Sequence, residues 1–113
     1  MCRIYKYITV REMRTMGIDL PHRVIESIKQ FGEKYAIKKI VLFGSRARGD
    51  NSSKSDIDLA IYPSEEFSSK GRFASDIEDL DTLLKIDLVF IDENTDPQLI
   101  ETIENEGVVL YER

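Results

Sequence analysis

The residues best suited to chemistry are a Gly-Ser pair and the aspartates that follow it. Gly44 and Ser45 come directly after the strand-like run 39–43, and Asp56 and Asp58 stand two residues apart in a second alternating run. On a β-strand, side chains two residues apart point to the same face, so these carboxylates should lie side by side. Like charges at that spacing repel each other unless a cation relieves them. The pattern therefore predicts a site for a hard divalent cation such as Mg2+.

A third carboxylate is available from Asp87, which interrupts the otherwise apolar run 86–91. A carboxylate embedded among apolar residues needs a partner. If its strand lies beside that of Asp58, the aspartates could together hold two Mg2+ ions. Such a pair of ions would lower the pKa of an attacking hydroxyl and brace a triphosphate as pyrophosphate leaves.

The Gly-Ser pair suits the phosphates of a nucleotide. Gly44 has no Cβ, so the chain can turn sharply and bring its amides close to a ligand. Ser45 adds a hydroxyl, and a helical turn beginning there would point free N–H groups at a phosphate. Arg46 and Arg48 add positive charge, and the sequence leaves open whether they are surface charges or contact a phosphate or partner. The simplest alternative for the whole motif is a turn followed by a strand with a solvated acidic face.

Helical and strand-like patterns alternate along the rest of the chain. They predict an α/β (α+β) fold, with a small mixed sheet of about four strands flanked by helices. Residues 1–18 could form a strand or a short helix, and the domain is expected to span 19–113. Asp19 is a possible helix cap and Gly107 a C-terminal cap. The predicted helices are 21–35, a segment around 74–84 and one starting at 96–97, and the predicted strands are 39–43, 56–61, 86–91 and 108–111.

Composition limits the class of protein. The 113 residues suffice for one hydrophobic core, and the net charge of -5 leaves no chain-wide basic field, so we expect no direct nucleic-acid partner. Residues 1–48 carry 11 Lys/Arg and 4 Asp/Glu, whereas 49–113 carry 5 and 17. The single Cys2 excludes an internal disulfide and a Cys-based zinc cluster. With neither a signal peptide nor a membrane span expected, the prediction is a cytoplasmic protein.

These motifs resemble a known family. VLFGSRARGDNSSKSDIDLAIY followed by KIDLVFID is similar to the minimal nucleotidyltransferases of the DNA polymerase β-like superfamily, particularly the MntA-type antitoxins, over roughly residues 21–112. The resemblance implies that Gly44 and Ser45 bind nucleotide phosphates and that Asp56 and Asp58 ligate Mg2+. It implies that Asp87 is the third metal-binding carboxylate and activates the acceptor hydroxyl. The implied reaction is transfer of AMP from ATP to a hydroxyl.

The resemblance also implies a partner. Relatives of this size are paired with a HEPN-domain toxin, an RNase that they silence by attaching AMP to a tyrosine, in type VII toxin–antitoxin systems. Two alternatives stay open at this point. The chain could neutralise a toxin by binding it without chemistry, or it could transfer the nucleotide to a small molecule or to RNA.

Overall fold

Four helices and four strands alternate in the computed structural model, which describes residues 18–67, 69–80 and 82–113. The predictions for residues 1–17, Cys2 included, lie outside the described residues. The elements in chain order are α1 His22–Lys34, β1 Ile37–Phe43, α2 Ser45–Arg48, β2 Ile57–Pro63, α3 Lys70–Glu78, β3 Ile86–Phe90, α4 Pro97–Glu106 and β4 Val108–Glu112.

The strands form one mixed sheet in the order β3-β2-β1-β4. The central strand β1 is antiparallel to both β2 and β4, whereas β2 and β3 are parallel and are connected through α3. A parallel pair needs such a crossover because the chain must return to the same end of the sheet. The predicted α+β fold with about four strands is confirmed.

The core has two parts, one on each face of the sheet. Side chains alternate between the faces of a strand, so Ile57, Leu59 and Ile61 of β2 are fully buried on one side. They pack against α1 and α3 through a cluster that includes Phe73. Ala60 faces the other side, where it meets Ile103 of α4. Asp58 shares the face of Ala60, so α4 covers the sheet face on which the candidate site lies.

The helices match the predicted segments with two corrections. Helix α1 occupies the predicted range, but Asp19 is not its cap, because Pro21 holds the N-cap position. Helix α3 both begins and ends earlier than the predicted segment around 74–84, at Lys70 and Glu78, and Leu83 is completely exposed. The chain has to turn there to enter β3, so Leu83 cannot continue the buried stripe. No helix in the described ranges combines the length and the apolar character needed to cross a bilayer.

Helix α4 begins and ends at the residues that the sequence predicted. Asp96 is the N-cap, and its side chain accepts a hydrogen bond of 3.0 Å from the backbone N–H of Gln98. Gly107 is at the C-cap, although its backbone is extended rather than left-handed. A side chain there would collide with Val41 and with the carbonyl of Ile103. Glycine is therefore required for close packing of α4 on the sheet.

Candidate active site

The candidate site lies at one end of the sheet, where β1 finishes and β2 and β3 begin. Phe43, the last residue of β1, is the register partner of Asp58 on the antiparallel strand β2. The turn at Gly44 and the carboxylate of Asp58 are thus brought together by the β1–β2 pairing. The four-residue helix α2 starts immediately afterwards at Ser45, as the sequence predicted.

Position 44 requires glycine both for its backbone conformation and for the space beside Asp58. Its φ of 80° and ψ of -158° lie in a region that is essentially restricted to glycine. A Cβ atom at this position would come within 2.5 Å of Oδ2 of Asp58. The backbone of the Gly-Ser turn therefore lies directly against the Asp58 carboxylate, whereas the approach predicted from the sequence was to a ligand.

Asp58 and Asp87 are register partners on the parallel strands β2 and β3. Neighbouring strands are about 4.8 Å apart, so the two carboxylates extend from adjacent positions on the same sheet face. Burial raises the pKa of Asp58, and the nearby charges of Asp87 and Asp56 raise it further. Arg48 acts on it in the opposite direction. The site is consequently a place where negative charge is concentrated and a cation would be favoured.

Asp56 lies just before the first residue of β2 and is exposed. It is close enough to Asp58 to influence the pKa of that group. Within the described residues, no group of three or more His, Cys, Asp or Glu side chains is placed so that it could hold a metal ion. The three predicted ligands are thus neighbours that do not form a closed cage. Mg2+ commonly binds one or two protein carboxylates and completes its coordination shell with water and phosphate oxygens. The carboxylates of Asp56, Asp58 and Asp87 suit such an open coordination.

Two basic side chains border the aspartates. Lys85 Nζ lies 3.4 Å from Oδ1 of Asp87. Arg48 donates to Asp50 at 3.1 Å and to Glu106, at the end of α4, at 3.3 Å. Arg48 is exposed, which fits both a surface charge and a phosphate-facing or partner-facing role, and it is near enough to affect the pKa of Asp58.

Arg46 differs from both sequence interpretations. Its side chain is only 3% exposed, so it is neither a surface charge nor turned toward a ligand in solution. The guanidinium instead donates to backbone carbonyls, including that of Ser55 at 3.0 Å. No local pattern in the sequence marks this role, because every loop residue carries a carbonyl and the pattern does not show which of them a guanidinium will reach.

Comparison with solved structures defines the class of fold. The chain superposes with a TM-score of 0.58 on a chain of the crystal structure of a toxin–antitoxin with AMP-PNP, at 21% identity, covering 79% of this chain and 73% of that one. It superposes with a TM-score of 0.57 on a mutant of the toxin–antitoxin MntA-HpeT, at 18% identity and with the same coverage. At this identity the likeness concerns the fold, which is nucleotidyltransferase-like.

Sequence comparison then gives the family. Residues 26–113 match the family described as "Polymerase beta, Nucleotidyltransferase". A protein of Methanocaldococcus jannaschii named "Putative protein adenylyltransferase MJ1379" is 34% identical over 77 residues, which are 66% of this chain and 77% of that protein. A second from that organism, MJ0128, carries the same description and is 33% identical over 76 residues, 66% of this chain and 76% of that protein. The chain therefore belongs to the polymerase β nucleotidyltransferase family and is a nucleotidyltransferase.

Proposed function

We propose that this nucleotidyltransferase transfers AMP from ATP to a hydroxyl group of a protein partner in a reaction that depends on Mg2+. One observation carries the proposal: Asp58 is paired with Asp87 across β2 and β3 while the Gly44 backbone lies against its carboxylate. A cation bound by the aspartates and a triphosphate held by the turn would therefore be neighbours. The names of the archaeal relatives, which describe protein adenylyltransferases, support AMP as the transferred group.

Asp56, Asp58 and Asp87 are the residues that would hold Mg2+. When bound, Mg2+ supplies charge neutralisation for the phosphates and a lower pKa for the attacking hydroxyl. The carboxylates and a triphosphate are both negative, so the aspartates alone would repel the nucleotide. A bound cation should consequently strengthen nucleotide binding.

The Gly-Ser turn is proposed to orient the nucleotide. Helix α2 begins at Ser45, where the first N–H groups of a helix have no partners inside the helix. Backbone N–H groups and the Ser45 hydroxyl are suitable donors to phosphate oxygens. Holding the triphosphate on these donors would place the α-phosphate near the aspartates. In phosphoryl transfer, most of the rate enhancement comes from such positioning and from charge stabilisation.

Asp87 is proposed to take the proton of the acceptor hydroxyl. The acceptor oxygen forms a bond to the α-phosphorus of ATP while the bond from that phosphorus to the bridging oxygen breaks. The products are an AMP ester of the acceptor and pyrophosphate, and the proton is on the Asp87 carboxylate. Asp87 lies on the edge strand β3 and is partly exposed, so a large acceptor can reach it.

The proposed acceptor is a tyrosine of a HEPN-domain toxin, with the chain acting as the antitoxin. Two findings support this choice. The motif 41–62 resembles that of MntA-type antitoxins, and the fold is shared with chains of two toxin–antitoxin structures, one of them with AMP-PNP. A tyrosine on a protein partner also suits the position of Asp87, which is partly exposed on an edge strand.

The test is to mix the purified chain with ATP, Mg2+ and a candidate HEPN-domain toxin, and then to weigh the toxin by mass spectrometry. We expect the partner to gain the mass of one or more AMP groups, located on tyrosine by fragmentation. The gain should require Mg2+ and be absent with Asp56→Asn. A tight complex whose partner keeps its original mass would contradict AMP transfer and favour neutralisation by binding alone.

A further inference from the structure

Arg46 connects the two separated parts of the candidate site. It belongs to α2, which follows the Gly-Ser turn, and its side chain reaches the loop that leads into Asp56. Nε donates to the carbonyl of Ser55 at 3.0 Å, immediately before Asp56 in the chain. Nη2 donates to the carbonyl of Ser53 at 3.2 Å and to that of Ser52 at 3.5 Å. One buried guanidinium therefore fixes three carbonyls of the loop.

The same guanidinium also reaches the segment ahead of α1. Nη1 donates to the carbonyl of Asp19 at 2.5 Å and lies 3.5 Å from the carboxylate oxygen Oδ2 of that residue. Asn51 donates to this carboxylate at 3.0 Å, so the loop is attached to the segment a second time. Ser52 and Ser55 also hydrogen-bond to each other within the loop, and the Arg46 side chain adds the contacts that attach the loop to the segment ahead of α1.

We propose that Arg46 is a positioning residue that holds the 50–56 loop in the shape needed for Asp56 and Asp58 to bind Mg2+ and nucleotide. The inference rests on the proposed function, because it assigns a role toward the metal and ATP of that site. Arg46 does not touch the reacting atoms, since its donors are occupied by carbonyls of Asp19 and the loop. It acts through the backbone that immediately precedes Asp56.

The chemistry of the side chain explains why arginine is needed here. A guanidinium is planar, stays charged, and presents five donors in a fixed fork, so it can hold several carbonyls at once. A lysine ammonium is a point charge with three donors and cannot span Ser52 to Ser55 in the same way. Burying a charge is costly unless it is fully hydrogen-bonded. Among the described residues, no buried side-chain polar atom lacks a hydrogen-bond partner.

The proposal can be tested by calorimetric binding of AMP-PNP at several Mg2+ concentrations to the wild-type chain, Arg46→Ala and Arg46→Lys. Outer-shell residues typically change metal affinity by about 10- to 100-fold. We expect Arg46→Ala to weaken AMP-PNP binding by about that factor and to need more Mg2+, with Arg46→Lys between it and the wild type. Added guanidinium, at concentrations far below denaturing ones, should restore binding to Arg46→Ala, whereas methylammonium should not.

Hydrogen exchange gives a readout that does not depend on ligand. The peptide covering residues 50–56 should exchange faster in Arg46→Ala than in the wild type, and guanidinium should reverse this. Ile28→Val, in the buried core of α1, provides the control for lost stability, because it should leave both the exchange of this loop and the Mg2+ dependence unchanged. Arg113→Ala controls for loss of an arginine charge far from the loop.

The outcomes separate the two proposals. Wild-type chain that fails to bind AMP-PNP with Mg2+ contradicts the proposed function, and with it the role of Arg46. Wild-type binding that is matched by Arg46→Lys, or by Arg46→Ala in folded form, contradicts the role of Arg46 alone. If Arg46→Ala does not fold, the comparison of Arg46→Lys with the wild type decides the question.

Discussion

Asp58 and Asp87 occupy paired positions on the parallel strands β2 and β3, so two carboxylates extend from adjacent points of one sheet face. Burial and the charge of Asp87 raise the pKa of Asp58, which means that the fold disfavours its ionised form. Such a carboxylate weakens the fold when it is charged, and its placement therefore needs a functional reason. Binding of a divalent cation together with ATP provides that reason.

Asp58→Asn tests this interpretation. We expect AMP transfer to fall by about 100-fold or more, because a metal ligand contributes several kcal/mol to the transition state and each 1.4 kcal/mol is about tenfold. The melting temperature near neutral pH should not fall, because the substitution removes a charge that burial and neighbouring carboxylates disfavour. Transfer is followed by partner mass and stability by thermal unfolding.

The matched control is Asp79→Asn, which removes an exposed carboxylate at the end of α3. It should transfer AMP at the wild-type rate. Full activity in Asp58→Asn would remove the metal site from the mechanism, while a large loss of stability would contradict the electrostatic interpretation.

Gly44→Ala is expected to disturb both the turn and the carboxylate. The new Cβ would lie 2.5 Å from Asp58 Oδ2, and the backbone has a φ of 80° that alanine disfavours. Gly49→Ala is the matched variant, since Gly49 has a φ of 88° but a Cβ there meets nothing within 4 Å. It should lose about 1–2 kcal/mol of unfolding free energy from the backbone alone. Gly44→Ala should lose more.

Binding of AMP-PNP with Mg2+ separates the two glycine variants. Gly44→Ala should bind at least about tenfold more weakly, because Asp58 has to move, whereas Gly49→Ala should bind as the wild type does. Equal affinities for both variants would show that the contact between residue 44 and Asp58 has no role in the site.

The elements that the sequence predicted well are those specified by local patterns. The alternation 56–61 places Ile57, Leu59 and Ile61 on one face whatever the neighbouring strands are, and all three are buried. Asp96 caps α4 through a hydrogen bond two residues along the chain. The sequence offered Asp87 as a third carboxylate on the condition that its strand lies beside that of Asp58, and the strand pairing meets this condition.

The features that the sequence did not reveal depend on contacts between distant segments. Asp19 looked like a cap for α1, but its carbonyl accepts from Arg46 and its carboxylate from Asn51. Leu83 continued a helical stripe, but the chain turns before it to reach β3. Arg46 is buried because a loop folds over it, and nothing in its immediate sequence specifies which carbonyls it will meet.

Lys85 should compete with the metal ion for Asp87. The two side chains are 3.4 Å apart and are 71% and 40% exposed, so the ion pair contributes no more than about 1 kcal/mol to stability. Lys85→Gln should therefore leave the melting temperature nearly unchanged and lower the Mg2+ concentration needed for half-maximal binding of AMP-PNP. Lys38→Gln, an exposed lysine on β1, should change neither quantity. A higher Mg2+ requirement in Lys85→Gln would contradict competition and indicate that Lys85 contacts the triphosphate.

The contact between α1 and α3 should make stability depend on acid pH. The Tyr35 hydroxyl donates to Asp76 at 2.5 Å and Lys34 Nζ lies 3.2 Å from the same carboxylate oxygen. The Tyr35 hydrogen bond is the largest influence that lowers the pKa of Asp76, followed by Lys34. A lowered pKa means that the folded state favours the ionised carboxylate. The resulting stabilisation is present above the ordinary value of 3.8 and is lost as the pH falls through the lower folded-state pKa.

Asp76→Asn should therefore have a lower melting temperature than the wild type at neutral pH, and the difference should shrink as the pH falls below 3.8. Asparagine can still accept the Tyr35 hydrogen bond, so the difference reports mainly the charge. Tyr35→Phe should lose part of the same stabilisation and retain the part due to Lys34. Thermal unfolding between neutral and acid pH measures all three chains, with Glu101→Gln, exposed on α4, as the control. A difference between wild type and Asp76→Asn that stays constant across this range would contradict the proposed stabilisation by the ionised carboxylate.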